Sequence, residues 1–160
     1  TMEGLLILFI ILLISIFVGT FIWSKKKRQE IDDKIESLAS GAEELTPEQF
    51  FELRNFSFGG RGKPKYALNK NFVGVYIIYN KSKNMYYVGQ AHRILDRVNS
   101  HFTGKGNGDV YADYKYGDSF TIRMISLESS GYQSLNDLER DTIRKFDSFA
   151  KGYNKTRGNK

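Results

Sequence analysis

Residues 72–89 of the chain read FVGVYIIYNKSKNMYYVG. Two runs of β-branched and aromatic residues flank the polar residues 80–84, and this pattern predicts a β-hairpin. Tyrosine is common in strands, so Tyr76 and Tyr87 are compatible with ordinary packing at a sheet edge as well as with a functional role. The rest of the fold is predicted outward from this hairpin.

A helix is predicted directly after the hairpin. Its inward face is marked by four apolar residues at helical spacing: Ile94, Leu95, Val98 and Phe102. Arg93, Arg97 and His101 recur at every fourth position along a neighbouring stripe. These three side chains suit a cleft that binds phosphate, and they equally suit a solvated helix face.

The remaining elements complete the predicted fold class. Residues 120–125 alternate well enough between apolar and polar types to predict a third strand. Residues 135–149 carry the strongest helical pattern of the domain, with Ser134 or Asn136 as its cap. The sequence therefore predicts an α/β fold of the α+β type, in which helices flank a sheet of at least three strands.

Glu139 lies on the apolar stripe of this last predicted helix, between Leu135 and Ile143. A carboxylate that points inward is costly unless a cation, a metal ion or hydrogen bonds compensate it. Arg140 and Arg144 point elsewhere around the helix, so an ordinary ion pair with them does not explain the position. Glu139 is therefore a candidate site residue.

The N-terminal part of the chain has a different composition. Residues 5–23 form a run without a charged residue, and such a run is about 28 Å long as a helix, enough to cross a bilayer core. A signal peptide would have positive charge before the run and a small-residue cleavage site after it, whereas here Glu3 precedes it and the basic residues 25–28 follow. We therefore predict an uncleaved transmembrane anchor in residues 1–24. The positive-inside rule places the N-terminus outside and the rest in the cytoplasm, at the cell (inner or cytoplasmic) membrane.

Residues 25–45 are predicted to form a charged helical stalk that continues from the anchor. The apolar stripe of this segment is thin: Ile31, Ile35 and Leu38. It is compatible with a solvated or membrane-surface stalk and with pairing to a partner helix, so an oligomer or protein partner is conceivable through the anchor or the stalk. A capping-box pattern at Thr46 and Gln49 then predicts a new helix, and the domain is predicted to span residues 46–160.

The charge of the chain is distributed unevenly. Its formal net charge of +6 divides into −2 for residues 1–46 and +8 for residues 47–160. A basic domain favours binding to a polyanion such as nucleic acid, although a charge surplus also serves solubility alone. The chain has no cysteine, which excludes disulfides and thiolate metal sites.

Six basic residues are candidates for contact with nucleic acid: Arg61, Lys63, Lys65, Arg93, Lys155 and Arg157. The first three lie in the glycine-rich residues 58–65, which lack the spacing of a P-loop or of a dinucleotide-binding fingerprint. A plain connecting loop and a loop that contacts DNA explain this stretch equally well.

Between about residues 72 and 154, the sequence resembles the GIY-YIG nuclease superfamily. Residues 74–76 (GVY) and 87–89 (YVG) match the two signature triplets. Four further positions match the family's motif in the right order: Arg97, His101, Glu139 and Asn154. Valine replaces isoleucine in both triplets, which is harmless for packing, and Gln90 stands where some members carry lysine.

The resemblance implies a fold in which helices flank a central three-stranded, mainly antiparallel sheet. It also implies a phosphodiester hydrolase in which Glu139 binds one divalent ion, Mg²⁺ or Mn²⁺, and Arg97 neutralises the scissile phosphate. It implies Tyr76 as the primary base, with Tyr87 and His101 orienting water and passing on the proton. Three further residues would support the site: Gly74, Gly89 and Asn154. A phenol of pKa near 10 is a poorer base at pH 7 than an imidazole of pKa near 6.5, so the choice between Tyr76 and His101 stays open.

Together these features predict a membrane-tethered, divalent-metal-dependent DNA endonuclease at the cytoplasmic face, acting on incoming foreign DNA such as a phage genome. DNA and the lipid bilayer are its predicted partners. A catalytically inactive, membrane-bound DNA-binding adaptor is one alternative, and an assembly protein that recruits partners through its stalk is another. The set of Tyr76, Arg97 and Glu139 favours the enzyme, because a binding protein does not need the carboxylate.

Overall fold

A computed structural model describes residues 1–59, 63 and 65–159 of the chain. The chain divides into two compact units, Thr1–Lys34 and Ile35–Lys160. The first unit is helical throughout its length after Thr1, and the second contains the sheet.

Helices and strands alternate irregularly along the chain, as in an α+β fold. The helices are α1 (Met2–Gly41), α2 (Pro47–Asn55), α3 (Tyr66–Lys70), α4 (Ile94–Phe102), α5 (Gly108–Tyr116), α6 (Leu127–Ser130) and α7 (Leu135–Lys145). The strands are β1 (Gly74–Asn80), β2 (Met85–Ala91) and β3 (Phe120–Ser126). The short helices α3 and α6 carry no clear periodic pattern and were not predicted.

The three strands form one sheet in the order β2-β1-β3, and both pairings are antiparallel. The central strand β1 places Tyr76 opposite Gly89 on one side and opposite Met124 on the other. The predicted hairpin, third strand and fold class are confirmed. The hairpin turn includes Asn84 at a φ of 52°, a left-handed conformation that asparagine tolerates better than most residues.

The two faces of β1 bury different cores, as the alternation of side chains along a strand requires. One face carries Tyr76 and Ile78 and packs in a cluster with α2 and α4. The other carries Val75 and Ile77 and packs in a cluster with α7. The sheet therefore separates α4 from α7.

The C-terminal end of α1 is part of the second unit. Ile35 and Ala39 are buried in the same cluster as Val75 and Ile77. Arg123 on β3 donates through its Nη1 to the carbonyl of Ala39 at 2.8 Å, which holds this end of the helix against the sheet. The helix ends at Gly41. The compact unit thus includes residues of the stretch expected to be a stalk, and any fragment used in experiments has to retain them.

Two helix termini can be compared directly with the sequence patterns. The capping box of α2 is present, since Thr46 Oγ1 accepts from the Gln49 N–H at 3.2 Å and Gln49 Oε1 accepts from the Thr46 N–H at 2.9 Å. The helix predicted for residues 135–149 ends earlier, at Lys145. Asp147 has a φ of 52°, which is incompatible with a continuing right-handed helix, and this corrects the prediction.

In the described part of the chain, one helix, α1, is long and apolar enough to cross a membrane, and none of its apolar stretch is buried. The assignment of a membrane segment rests on the length and composition of α1, and N-terminal signal sequences share both properties. The orientation of the segment stays a prediction from the basic residues 25–28.

Candidate active site

An open cleft of about 290 Å³ lies along the edge of the sheet at β2. Five residues singled out in the sequence line it: Tyr76, Tyr87, Arg97, Glu139 and Asn154. They come from β1, β2, α4, α7 and the segment after α7, respectively. Residues that lie far apart in the sequence are therefore brought to one surface, with a mixture of phenol, guanidinium and carboxylate groups.

His101 lies behind Tyr76 rather than in the wall of the cleft, and its side chain is fully buried. Its Nε2 is 2.8 Å from the Tyr76 hydroxyl oxygen, and its Nδ1 accepts a hydrogen bond from the backbone N–H of Asn107 at 2.8 Å. Because Nδ1 is an acceptor, the single proton of the neutral imidazole is on Nε2. The imidazole therefore donates to the phenol oxygen of Tyr76.

The electrostatics of this pair follow from its burial. Burial lowers the pKa of His101 to about 4, and the nearby Arg97 cation contributes in the same direction. Burial also raises the pKa of Tyr76 well above its ordinary value near 10; the Tyr87 phenol raises it further and Arg97 lowers it. His101 is thus neutral at pH 7 with both nitrogens engaged, and its N–H is aimed where a phenolate charge on Tyr76 would develop.

Arg97 differs from the arginine one turn before it. Arg93 forms an ion pair with Asp96 at 2.9 Å, and Arg54 reaches the same carboxylate at 3.0 Å. Among the described residues, none forms an ion pair with Arg97. Its exposed guanidinium lines the cleft and is available to an anion such as a phosphate.

Glu139 points from α7 into the cleft and is 7% exposed. Its Oε2 accepts from the Gln90 side-chain Nε2 at 2.8 Å and from the backbone N–H of Asn159 at 3.3 Å. These bonds compensate the burial of the carboxylate. No described residue donates to Oε1.

Among the described residues that line the cleft, Glu139 is the one that offers a carboxylate to a metal ion. Within the described ranges, no group of three or more histidine, aspartate or glutamate side chains is gathered as a metal site. A hard cation such as Mg²⁺ keeps several water ligands and uses one or two carboxylates together with substrate phosphate oxygens. A partly held carboxylate in an open polar cleft fits that type of coordination, with Glu139 as the protein ligand.

Asn154 clamps β2 at the second signature triplet. Its Oδ1 accepts from the Val88 N–H at 2.9 Å, and its Nδ2 donates to the Val88 carbonyl at 2.8 Å. The side-chain amide therefore makes the pair of hydrogen bonds that the backbone of a neighbouring strand would make. Val88 stands between Tyr87 and Gly89. A side chain at Gly89 would overlap the Tyr76 hydroxyl, so this glycine keeps room for the phenol beside β2.

The residues predicted to contact nucleic acid do not all lie in the cleft. Among the described members of the set, Lys155 lines the cleft, where it also pairs with Asp109 at 2.9 Å. Arg93 is paired with Asp96, and Arg157 lies over the Phe149 ring at 5.2 Å. Lys63 and Lys65 are exposed outside the cleft, and Arg61 lies outside the described residues.

Three residues of the site were not assigned a role from the sequence: Gln90, Asn107 and Asn159. Gln90 directly follows the second triplet, so its position was noted but its contact with Glu139 was not. Asn107 lies in the glycine-rich residues 104–108, and a side chain at Gly106 would collide with His101. The glycines of this stretch are the sequence feature that could have indicated the close approach of its backbone to His101.

The model of the GIY-YIG catalytic domain family matches residues 72–154, just over half of the chain. No curated protein and no solved structure matched the chain. The matched region contains β1, β2, α4, β3 and α7, together with Asn154. This family indicates a nuclease, a phosphodiester hydrolase whose substrate is DNA. The chain belongs to the GIY-YIG family of catalytic domains.

Proposed function

We propose that this protein is a divalent-metal-dependent DNA endonuclease held at a membrane by α1. The observation that carries the proposal is the convergence of Tyr76, Arg97 and Glu139 on one open cleft. Hydrolysis of a phosphodiester requires a base for the attacking water, positive charge near the phosphoryl oxygens and stabilisation of the leaving oxygen. These three side chains correspond to those three requirements.

Tyr76 is the group we assign as general base. Its pKa is raised by burial, so the phenolate has to be stabilised before it can take a proton from the water and become a neutral phenol. The Nε2–H of His101 and the guanidinium of Arg97 supply this stabilisation from two directions. In this arrangement His101 acts through Tyr76 and not directly on the water, while Tyr87, whose ring centre is 5.9 Å from that of Tyr76, helps to orient the water.

We assign Arg97 and Glu139 to the stabilisation of negative charge on the substrate, Arg97 directly and Glu139 through a bound cation. Arg97 keeps its proton at every relevant pH and binds two oxygens of a phosphate at once. Glu139 would hold one Mg²⁺ or Mn²⁺. When bound, such an ion supplies positive charge that stabilises the leaving 3′ oxygen. Gly74, Gly89 and Asn154 support the site: side chains at the two glycines would collide with the Ile125 carbonyl and the Tyr76 hydroxyl, and Asn154 holds β2 at Val88.

The proposal is tested by incubating the purified full-length chain in detergent micelles with supercoiled plasmid. We expect nicked or linear products with Mg²⁺ or Mn²⁺, and a rate at least about 10³-fold lower with a chelator, since a catalytic metal contributes several kcal/mol. Plasmid binding without cleavage under all ion conditions would contradict the nuclease and support the DNA-binding adaptor.

The membrane part of the proposal rests on α1 and on the basic residues 25–28 that follow its apolar stretch. A tethered nuclease cuts DNA that arrives near the membrane and spares most of the chromosome by position. Incoming foreign DNA, such as a phage genome, is the substrate we propose. Association of further copies or of another protein through α1 is compatible with the same arrangement.

A fragment of residues 29–160 tests the tether. It lacks the apolar stretch and the basic cluster but keeps Ile35 and Ala39, which a fragment starting at Thr46 would remove from the core. We expect the fragment to cleave plasmid in vitro like the full chain and to lose protection of cells against phage infection or plasmid uptake. Equal protection by the fragment, at equal expression, would contradict a role for the tether.

A further inference from the structure

Gln90 joins the second signature strand to the helix that carries Glu139. It follows Gly89 on β2, and its side-chain Nε2 donates to Glu139 Oε2 at 2.8 Å and to Asn136 Oδ1 at 2.8 Å. A primary amide nitrogen has two hydrogens. Both are therefore used on acceptors of α7 that lie one helical turn apart.

This double contact restricts the carboxylate. A glutamate side chain has three rotatable bonds, and a free one would sample many positions in the cleft. Gln90 from β2 and the Asn159 backbone N–H from the C-terminal segment both donate to Oε2. Among the described residues, none donates to Oε1. One oxygen is held while the other is left for a ligand.

The side-chain amide of Gln90 is also chemically suited to hold the Glu139 carboxylate. An amide holds a carboxylate without neutralising its charge, whereas an arginine or lysine partner would compete with a cation for the same group. Carboxylates that bind metal ions are commonly oriented by such neighbouring hydrogen bonds, and loss of one costs about 10- to 100-fold in metal affinity. Asn136 holds the amide of Gln90 in turn.

We infer that Gln90 is a positioning residue that fixes Glu139 for a hard divalent cation. This inference rests on the proposed function, since it assigns Glu139 as the metal ligand. Gln90 itself touches neither metal nor DNA in this role. Its effect is on the affinity for the ion and not on the fold or on the chemical step once the ion is bound.

The test is a titration of the full-length chain in detergent micelles with Mn²⁺ alone, followed by electron paramagnetic resonance of the free ion. Gln90→Met removes both donors at nearly constant side-chain length, and Gln133→Met is the matched control at an exposed glutamine outside the cleft. We expect Gln90→Met to weaken Mn²⁺ binding by about 10- to 100-fold, and Gln133→Met to leave it unchanged. Cleavage by Gln90→Met is expected to recover at raised Mn²⁺ concentration, which a merely structural defect would not allow.

The outcomes separate this inference from the function on which it rests. Equal Mn²⁺ affinity of Gln90→Met and the wild type would overturn the role of Gln90 and leave the nuclease untouched. A wild type that binds no Mn²⁺ and cuts no plasmid would overturn the proposed function itself. If Gln90→Met does not fold, as judged by its thermal unfolding without metal, Asn136→Ala is measured instead. A smaller loss of Mn²⁺ affinity is expected there, and no loss would overturn the inference.

Discussion

Replacing Glu139 by glutamine is expected to lower the rate of plasmid cleavage by at least about 10³-fold, because several kcal/mol of transition-state stabilisation depend on the ion that this carboxylate holds. Glutamine has almost the same shape and keeps an oxygen that can accept from Gln90. It lacks the negative charge that attracts a divalent cation. The measurement is the initial rate of plasmid nicking at saturating Mg²⁺.

Glu128→Gln is the control for this experiment, since Glu128 is exposed on α6 and does not line the cleft. It makes the same change of net charge and is expected to cut at the rate of the wild type. Plasmid binding by Glu139→Gln should persist, because the phosphate-binding cations are unchanged. Cleavage by Glu139→Gln within about threefold of the wild-type rate would exclude Glu139 as an essential metal ligand.

The second large effect is expected for Tyr76→Phe, which removes the hydroxyl that we assign as general base. A loss of about 10²- to 10⁴-fold in rate is expected, the usual contribution of general-base catalysis. The change also leaves the His101 N–H without its acceptor, so unfolding should become easier by about 1–3 kcal/mol. Tyr79→Phe is the control: it removes a hydroxyl bonded to Asn84, away from the cleft.

The pH dependence of the wild type distinguishes the two possible bases. The pKa of Tyr76 is raised by burial, so the phenolate fraction and the rate should increase about tenfold per pH unit between pH 7 and 9. His101 has a pKa lowered to about 4, so no inflection near pH 6.5 is expected. A normal rate for Tyr76→Phe together with an inactive His101→Ala would reverse the assignment in favour of the histidine.

Periodicity was sufficient to predict the three strands and the helices α4 and α7. The hairpin around β1 and β2 and the buried stripe of α7 are local patterns, and they do not depend on distant parts of the chain. The residue at which α7 ends could not be predicted from periodicity. Apolar residues continue to Phe149, and their spacing does not indicate the positive φ that Asp147 adopts just after the helix.

Five residues singled out in the sequence line one cleft, but the contacts among the residues of the cleft could not be predicted. Arg93 and Arg97 look equivalent on the helix stripe, and only the fold shows that Asp96 pairs with the first of them. The tautomer of His101 depends on a backbone N–H from residue 107, whose approach no sequence pattern specifies. The bond between Gln90 and Glu139 likewise joins residues 49 positions apart.

The clamp of Asn154 on Val88 has a consequence for the order in which the protein becomes active during its synthesis. The two residues are 66 positions apart, so at roughly 5–20 residues per second the ribosome adds Asn154 some 3–13 s after Val88. During that interval the nascent chain holds both signature strands without the side chain that fixes the second one. The cleft is therefore completed only after residue 154 has been added, and the N-terminal helix is made before that point.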